Sequence, residues 1–211
     1  MGYLIKTVLV GLGKIGIGYD FVNEIYQGTA KSHWGALQKL SEIEVFKLID
    51  INSAQLFHFN TADSKLYCDF ETFCNQQYEY DLLILATPTE SHKKVLRKIL
   101  DKHSFNSIII EKPCGLDLSE CNFLLDVLEE RSIKWQINYF RSVLPNTLAA
   151  INFMVKAGEE PLNAEICGYG QTLNIFSHFL HLLTLFVSKE TLNISEKNLY
   201  DGQPTILFES K

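Results

Sequence analysis

Short, nearly continuous apolar runs alternate along this chain with segments whose apolar residues recur at helical spacing. The runs are Thr7 to Val10, Val45 to Ile49, Leu82 to Ala86, Ser107 to Ile110 and Ile133 to Ile137. A strand buried on both faces reads as a continuous apolar run, which marks a parallel sheet covered by helices. Between the runs, Lys31 to Leu40 carries an amphipathic pattern. Glu90 to Leu100 sets Val95, Leu96, Ile99 and Leu100 at helical spacing, and Leu118 to Leu128 does so with Leu124, Leu125 and Leu128. Thr89 is placed to cap the Glu90 helix, with Ser91 and His92 in its opening turn, and Asp117 or Ser119 to cap the Leu118 helix. This rhythm predicts an α/β fold built on a doubly wound parallel sheet.

After Asn138 the pattern changes. Pro145 opens a helix to about Lys156, a strand is expected over Ala164 to Tyr169, an apolar helix over Asn174 to Val187, and a last strand over Thr205 to Phe208. The expected division is a first domain over 1–142 and a shortened α+β domain over 143–211. The least regular stretch is Gly16 to Ala30, and no internal repeat is present.

Length and charge narrow the choice. A chain of 211 residues suits one full domain and a smaller one. A net charge of −6 argues against a nucleic-acid partner, which needs a basic face to displace counterions. No apolar run is long enough to span a membrane, and the first strand passes straight into a glycine loop with no room for a signal peptide. A cytoplasmic protein with no membrane partner is expected. The cysteines Cys68, Cys74, Cys114, Cys121 and Cys167 are odd in number and never in a C-x-x-C pair, so they read as reduced packing residues rather than a disulfide framework or zinc site.

The candidate chemistry starts at Gly11-Leu12-Gly13-Lys14-Ile15-Gly16, directly after the first strand. In that position the glycines of a G-x-G-x-x-G loop permit a tight turn and close approach of backbone N–H groups to a pyrophosphate. This is the fingerprint of a dinucleotide-binding Rossmann domain, the alternative being a glycine-rich turn with no nucleotide. Asp50 closes the second strand, where a carboxylate accepts hydrogen bonds from the adenosine ribose hydroxyls and repels a 2′-phosphate, favouring NAD over NADP. The spacing from loop to acid is longer than the simple fingerprint, so an ordinary solvent-facing strand-end aspartate is the competing reading.

Two further strand ends carry Ala86-Thr87-Pro88-Thr89 with His92, and Glu111-Lys112-Pro113. With Asn138-Tyr139-Phe140-Arg141 and with Asn174-Ile175-Phe176-Ser177-His178-Phe179, these motifs resemble the Gfo/Idh/MocA family, the glucose-fructose oxidoreductase and inositol dehydrogenase relatives, from about Lys6 to about Phe186. The opening Gly-Leu-Gly-Lys-Ile-Gly-Ile-Gly-Tyr-Asp is similar to a subgroup associated with surface-polysaccharide sugar metabolism, which inserts a segment before its first helix. The resemblance implies hydride transfer between the nicotinamide of NAD and a hydroxyl-bearing carbon of a sugar, nucleotide sugar or polyol. It implies Lys112 as the ammonium beside the developing alkoxide and His178 as general base. Thr87, Pro88, His92 and Glu111 would line the nicotinamide side. Arg141 is a candidate for a substrate hydroxyl or carboxylate, or for a domain-joining salt bridge. A metal site at His178 and His181 is not expected, because no acidic or cysteine ligand lies nearby.

Two departures stand out. The family commonly has Asp four residues before the histidine, where this chain has Asn174, which orients an imidazole without supplying charge. The family also continues into a large open sheet, of which only the beginning is expected here. A homo-oligomer, or a second chain completing that sheet, is therefore expected as partner. A non-catalytic dinucleotide-binding relative is the alternative to a dehydrogenase.

Overall fold

In the computed structural model, residues 2–21, 30–52, 67–157, 163–166, 172–186, 193–200 and 203–209 are described. The valines and leucines of β1 (Ile5–Val10) form the centre of a parallel sheet. After β1 come a single π-helical turn (Lys14–Gly18), α1 (Tyr19–Phe21) and α2 (His33–Leu37). Then follow β2 (Ile43–Asp50), β3 (Tyr67–Asp69), α3 (Phe70–Cys74), β4 (Glu79–Leu85), α4 (His92–Leu100), β5 (Ser104–Ile110), α5 (Leu118–Glu130) and β6 (Lys134–Ile137). The six strands lie in the order β3-β2-β1-β4-β5-β6, all parallel. The chain runs outward from β1 through β2 to β3 and then returns to β4, so the strand order reverses between β1 and β4. In such sheets the crevice beyond the strand C-termini at that point is the ligand position.

Alternate residues of each strand serve opposite faces. Val8, Val10, Leu83, Leu85, Ile108 and Ile110 pack under α3, α4 and α5 with Leu96, Ile99, Leu124 and Leu128. Leu9, Leu48 and Ile84 face the other way, onto Leu12, Ile17 and Leu37 of the glycine loop and α2. Burial on both faces is why the strands read as unbroken apolar runs. Cys68, Cys74 and Cys114 are buried free thiols, and burial pushes the Cys114 thiol up to about 12. Cys167 lies outside the described residues.

Several boundaries differ from the sequence expectation. The helix expected over Lys31 to Leu40 is only α2, because after Leu37 the N–H groups of Lys39 and Leu40 bond three residues back and tighten the chain into turns. β3 and α3 were not expected, since three residues of strand are too few to show a period. Thr89 does not cap α4. It opens a 3-10 turn (Thr89–Ser91) in which Ser91 Oγ donates to the Pro88 carbonyl at 2.7 Å. Asp117 does cap α5, accepting the Glu120 N–H at 2.8 Å.

The chain divides into two compact units, Met1–Asn138 and Tyr139–Lys211. Arg141, expected in the first, belongs to the second. That unit contains a 3-10 turn (Phe140–Val143), α6 (Pro145–Ala157), β7 (Asn163–Ile166), α7 (Thr172–Leu183), β8 (Asn193–Tyr200) and β9 (Gln203–Glu209). Its sheet is antiparallel in the order β7-β9-β8. β8 adds a third strand to the two expected. Its polar sequence hides it, but the antiparallel ladder to β9 runs from Asn193 opposite Glu209 to Tyr200 opposite Gln203. Among the described residues no helix is long and apolar enough to cross a membrane.

Candidate functional site

The glycine loop is held from three sides. Gly11 donates to the Ile49 carbonyl at 2.9 Å, and its φ is +95°. A Cβ there would lie 2.6 Å from the Ala86 carbonyl carbon and oxygen and 2.7 Å from the Thr87 nitrogen. The first glycine thus lets the end of β1 press against the end of β4. At Gly16 a Cβ would overlap the Gly11 carbonyl oxygen. The N–H groups of Ile17 and Gly18 both donate to the Gly13 carbonyl, at 3.0 and 3.1 Å, closing the π-helical turn. Ile15 packs against the core on the α2 face, while Lys14 is exposed.

Gly13 differs from its neighbours. Among the described residues nothing lies within 4 Å of where its Cβ would be. Packing inside the protein does not require glycine there, whereas close approach of an external group to the backbone does.

Asp50 belongs to the same structure. Its Oδ2 accepts the Leu12 N–H at 2.6 Å and its Oδ1 the Asn52 N–H at 2.8 Å. An ionised carboxylate has about four acceptor sites, so both oxygens keep capacity for further donors. The long segment between loop and acid does not separate them, because β2 runs beside β1 with Ile49 opposite Val10. At the end of β4, Thr87 Oγ1 is buried with no hydrogen-bond partner among the described residues. An open glycine, an acid tied to the loop and an orphaned hydroxyl at the switch point fit a dinucleotide.

His92 sits elsewhere than expected. It is fully buried, with Nδ1 2.9 Å from the Cys114 carbonyl and Nε2 2.9 Å from the Thr87 carbonyl. As the first residue of α4 it turns into the core, so it ties the Thr87 and Cys114 loops together from beneath instead of lining the cleft. Pro88, by contrast, is exposed.

Beyond β5, Glu111 is buried, and the Lys112–Pro113 peptide bond is cis. The Glu111 Oε1 accepts from two side chains that sequence reasoning did not single out, His33 at 2.8 Å and Asn138 at 2.5 Å. Burial pushes the Glu111 carboxyl up, but the bonds from His33 and Asn138 and the charges of His33 and Lys112 outweigh it and hold it below the usual glutamate range. His33 is itself placed by Ser32, whose side chain caps α2 by accepting the Gly35 N–H at 3.2 Å. The Ser-His pair opening an amphipathic run was the available signal. A helix start does not say what its first side chain will meet.

In the second unit His178 is buried on α7, with its ring edge-on to Tyr139 at 5.6 Å and to Phe140 at 5.4 Å. His181, one turn on, stacks on Tyr139 at 4.4 Å, and burial lowers its pKa. The two histidines clasp the Tyr139 ring. The Arg141 guanidinium lies 4.8 Å from the Phe140 ring centre. Asn174 is on α7, and its side chain lies outside the described residues.

Together the sheet order, the glycine loop and the strand-end acid define a dinucleotide-binding Rossmann protein. Residues 5–139 match the family model described as "Oxidoreductase family, NAD-binding Rossmann fold", and the chain belongs to that Gfo/Idh/MocA family. No curated protein matches the sequence significantly. Among similar solved structures, an NAD-binding protein from Listeria innocua has a TM-score of 0.66 at 19% identity, with 91% of this chain and 56% of that one covered. A dehydrogenase from Clostridium difficile has a TM-score of 0.70 at 16% identity, covering 98% and 66%. Scyllo-inositol dehydrogenase from Lactobacillus casei, solved with bound NAD(H) and scyllo-inositol, has a TM-score of 0.66 at 15% identity, covering 98% and 69%. The chain therefore spans roughly three fifths of the length of such proteins, between 56% and 69% for these three.

Proposed function

We propose that this protein is an NAD-dependent dehydrogenase acting on the hydroxyl of a sugar, nucleotide sugar or polyol. The observation that carries the proposal is the hydrogen bond from the Leu12 N–H to Asp50, which joins glycine loop and acid at the end of β1, in a sheet whose β4 and β5 are followed by Thr87 and by Glu111-Lys112. Gly11, Gly13, Lys14, Ile15 and Gly16 would hold the pyrophosphate and Asp50 the adenosine ribose, with Thr87, Pro88 and Glu111 on the nicotinamide side. When bound, NAD supplies the hydride acceptor. Lys112 stabilises negative charge on the substrate oxygen as its hydrogen leaves, since a fixed ammonium favours a developing alkoxide. By likeness to the family, His178 takes the hydroxyl proton, Asn174 orients its imidazole, and Arg141 binds the substrate.

The long segment before α2, which begins only at His33, supports membership in the surface-polysaccharide subgroup, in the cytoplasm, without choosing among sugar, nucleotide sugar and polyol. β7 and β8 are the outer strands of the second sheet, and pairing of such an edge with a second copy or another chain is part of the proposal. The test is the absorbance of NADH formed from NAD with a panel of sugars, nucleotide sugars and polyols, beside titration with NADH alone. Turnover with one member is expected. NADH binding without any turnover would leave a non-catalytic binding protein, and no NADH binding would overturn both readings.

A further inference from the structure

We propose that His33 is a positioning residue that couples the glycine loop to the Glu111-Lys112-Pro113 segment. The inference rests on the cofactor reading above for what that segment does, but the coupling itself is a property of the first unit alone. Its first link is Asp20, two residues beyond the π-helical turn. Asp20 Oδ1 accepts the Lys31 N–H at 3.0 Å, its Oδ2 accepts the Ser32 N–H at 2.8 Å, and the Ser32 hydroxyl donates to it as well. Gly35 makes room for this carboxylate, since a Cβ there would overlap it. The start of α2 is thereby pinned to the chain that leaves the glycine loop, and a negative charge at a helix N-terminus suits the exposed N–H groups there.

His33 is the first residue of that pinned helix, and its Nε2 reaches Glu111 Oε1 at 2.8 Å. An ionised carboxylate only accepts, so Nε2 carries the hydrogen and donates. The side chains of His33 and Glu111 are only 12% and 8% exposed. A bond so shielded from water is stronger than one at the surface. Asn138 donates to the same oxygen from the end of β6. Glu111 is thus gripped from the loop side by His33 and from the neighbouring strand by Asn138, while its own N–H is held by the Leu85 carbonyl at 2.9 Å. The bland alternative is that His33 merely compensates a buried carboxylate. In that case the Asp20 end of the chain of bonds should not matter to residues 111–115.

The experiment is amide hydrogen exchange on the full chain, free and with NADH, for wild type, His33→Leu, His33→Gln and Asp20→Asn. Without ligand, His33→Leu is expected to raise exchange at Glu111, Lys112, Cys114 and Gly115 about tenfold, in keeping with loss of a hydrogen bond to a charged group. His33→Gln keeps an N–H donor at the same reach and is expected to restore most of the protection. Asp20→Asn leaves His33 and Glu111 in place yet should also raise exchange there, and it carries the prediction if His33→Leu does not fold. In wild type, NADH should slow exchange both at 11–18 and at 111–115; in His33→Leu only the loop should respond. Unchanged exchange at 111–115 in His33→Leu, or in Asp20→Asn, would overturn the coupling. A wild type that shows no NADH effect at all defeats the cofactor reading, and the ligand-free comparison still decides the coupling.

Discussion

The carboxylate of Asp50 accepts the backbone N–H of Leu12 at 2.6 Å, which ties the residue that ends β2 to the loop that follows β1. Two consequences follow for nucleotide choice. Binding of NAD(H) should exceed binding of NADP(H), because a 2′-phosphate would meet this carboxylate and Ile51-Asn52 offers it no basic residue. Asp50→Ala should weaken NADH binding by about tenfold or more, the scale of a lost hydrogen bond to a charged group, and narrow the preference. Fluorescence titration with both reduced nucleotides checks this, and equal or tighter NADPH binding in wild type would remove Asp50 from the ribose site.

The loop glycines should separate folding from binding. Gly11→Ala places a side chain at φ +95° and within 2.6 Å of Ala86, so a loss of stability of at least about 1–3 kcal/mol is expected from the backbone conformation, with the overlap adding to it. Gly13→Ala meets nothing within 4 Å among the described residues and should leave the denaturation midpoint nearly unchanged while weakening NADH binding. Denaturant unfolding beside NADH titration tests the pair. An equally destabilised Gly13→Ala would mean that this glycine serves the fold.

Where turnover is found, Lys112→Ala and His178→Ala should each lower kcat by about two orders of magnitude or more, with far smaller effects on NADH affinity. The proposed function gives Lys112 the role of charge stabiliser and His178 that of general base. Steady-state kinetics with parallel binding data decide it, and a mutant with unchanged turnover loses its assignment.

Stability should fall with acid in two stages. Burial lowers the pKa of His103, which stacks on Phe73 at 4.0 Å and bonds the Phe73 carbonyl at 3.1 Å through Nε2. The unfolded chain takes up this proton near 6.5 and the folded chain resists it, so the stabilisation is complete above that pH and declines below it. His181, also lowered by burial, acts with the same sign. Glu111 is held below 4.5, so its contribution is present above that pH and lost as the pH falls through its folded value. Thermal melts between about pH 7 and about pH 5 should show the histidine stage, with uptake on unfolding of at most about one proton per histidine. His103→Phe preserves the ring stack and should flatten that slope even where it lowers the melting temperature throughout. An undiminished slope in that variant would exclude His103 as its source.

The central strands are legible in the sequence because β1, β2, β4 and β5 are covered on both faces, and burial of both faces forces runs such as Thr7 to Val10 to be apolar at nearly every position. The glycine loop was legible because its requirements are local: a positive φ at Gly11 and a missing Cβ at Gly16 are needs of neighbouring backbone. The direction of His92 was not, since a helix-opening position is compatible with a ligand-facing or a core-facing side chain, and only packing against Thr87 and Cys114 selects the second. β8 escaped because five of the eight residues from Asn193 to Tyr200 are polar and leave no apolar run, and only its ladder to β9 reveals it. The meeting of His33 with Glu111, 78 residues apart, depends on where Asp20 sets the start of α2 and on how far β5 runs beside β4. Neither quantity is written in local periodicity, because hydrogen bonds across such separations are fixed only when the strand order and the helix ends are fixed together.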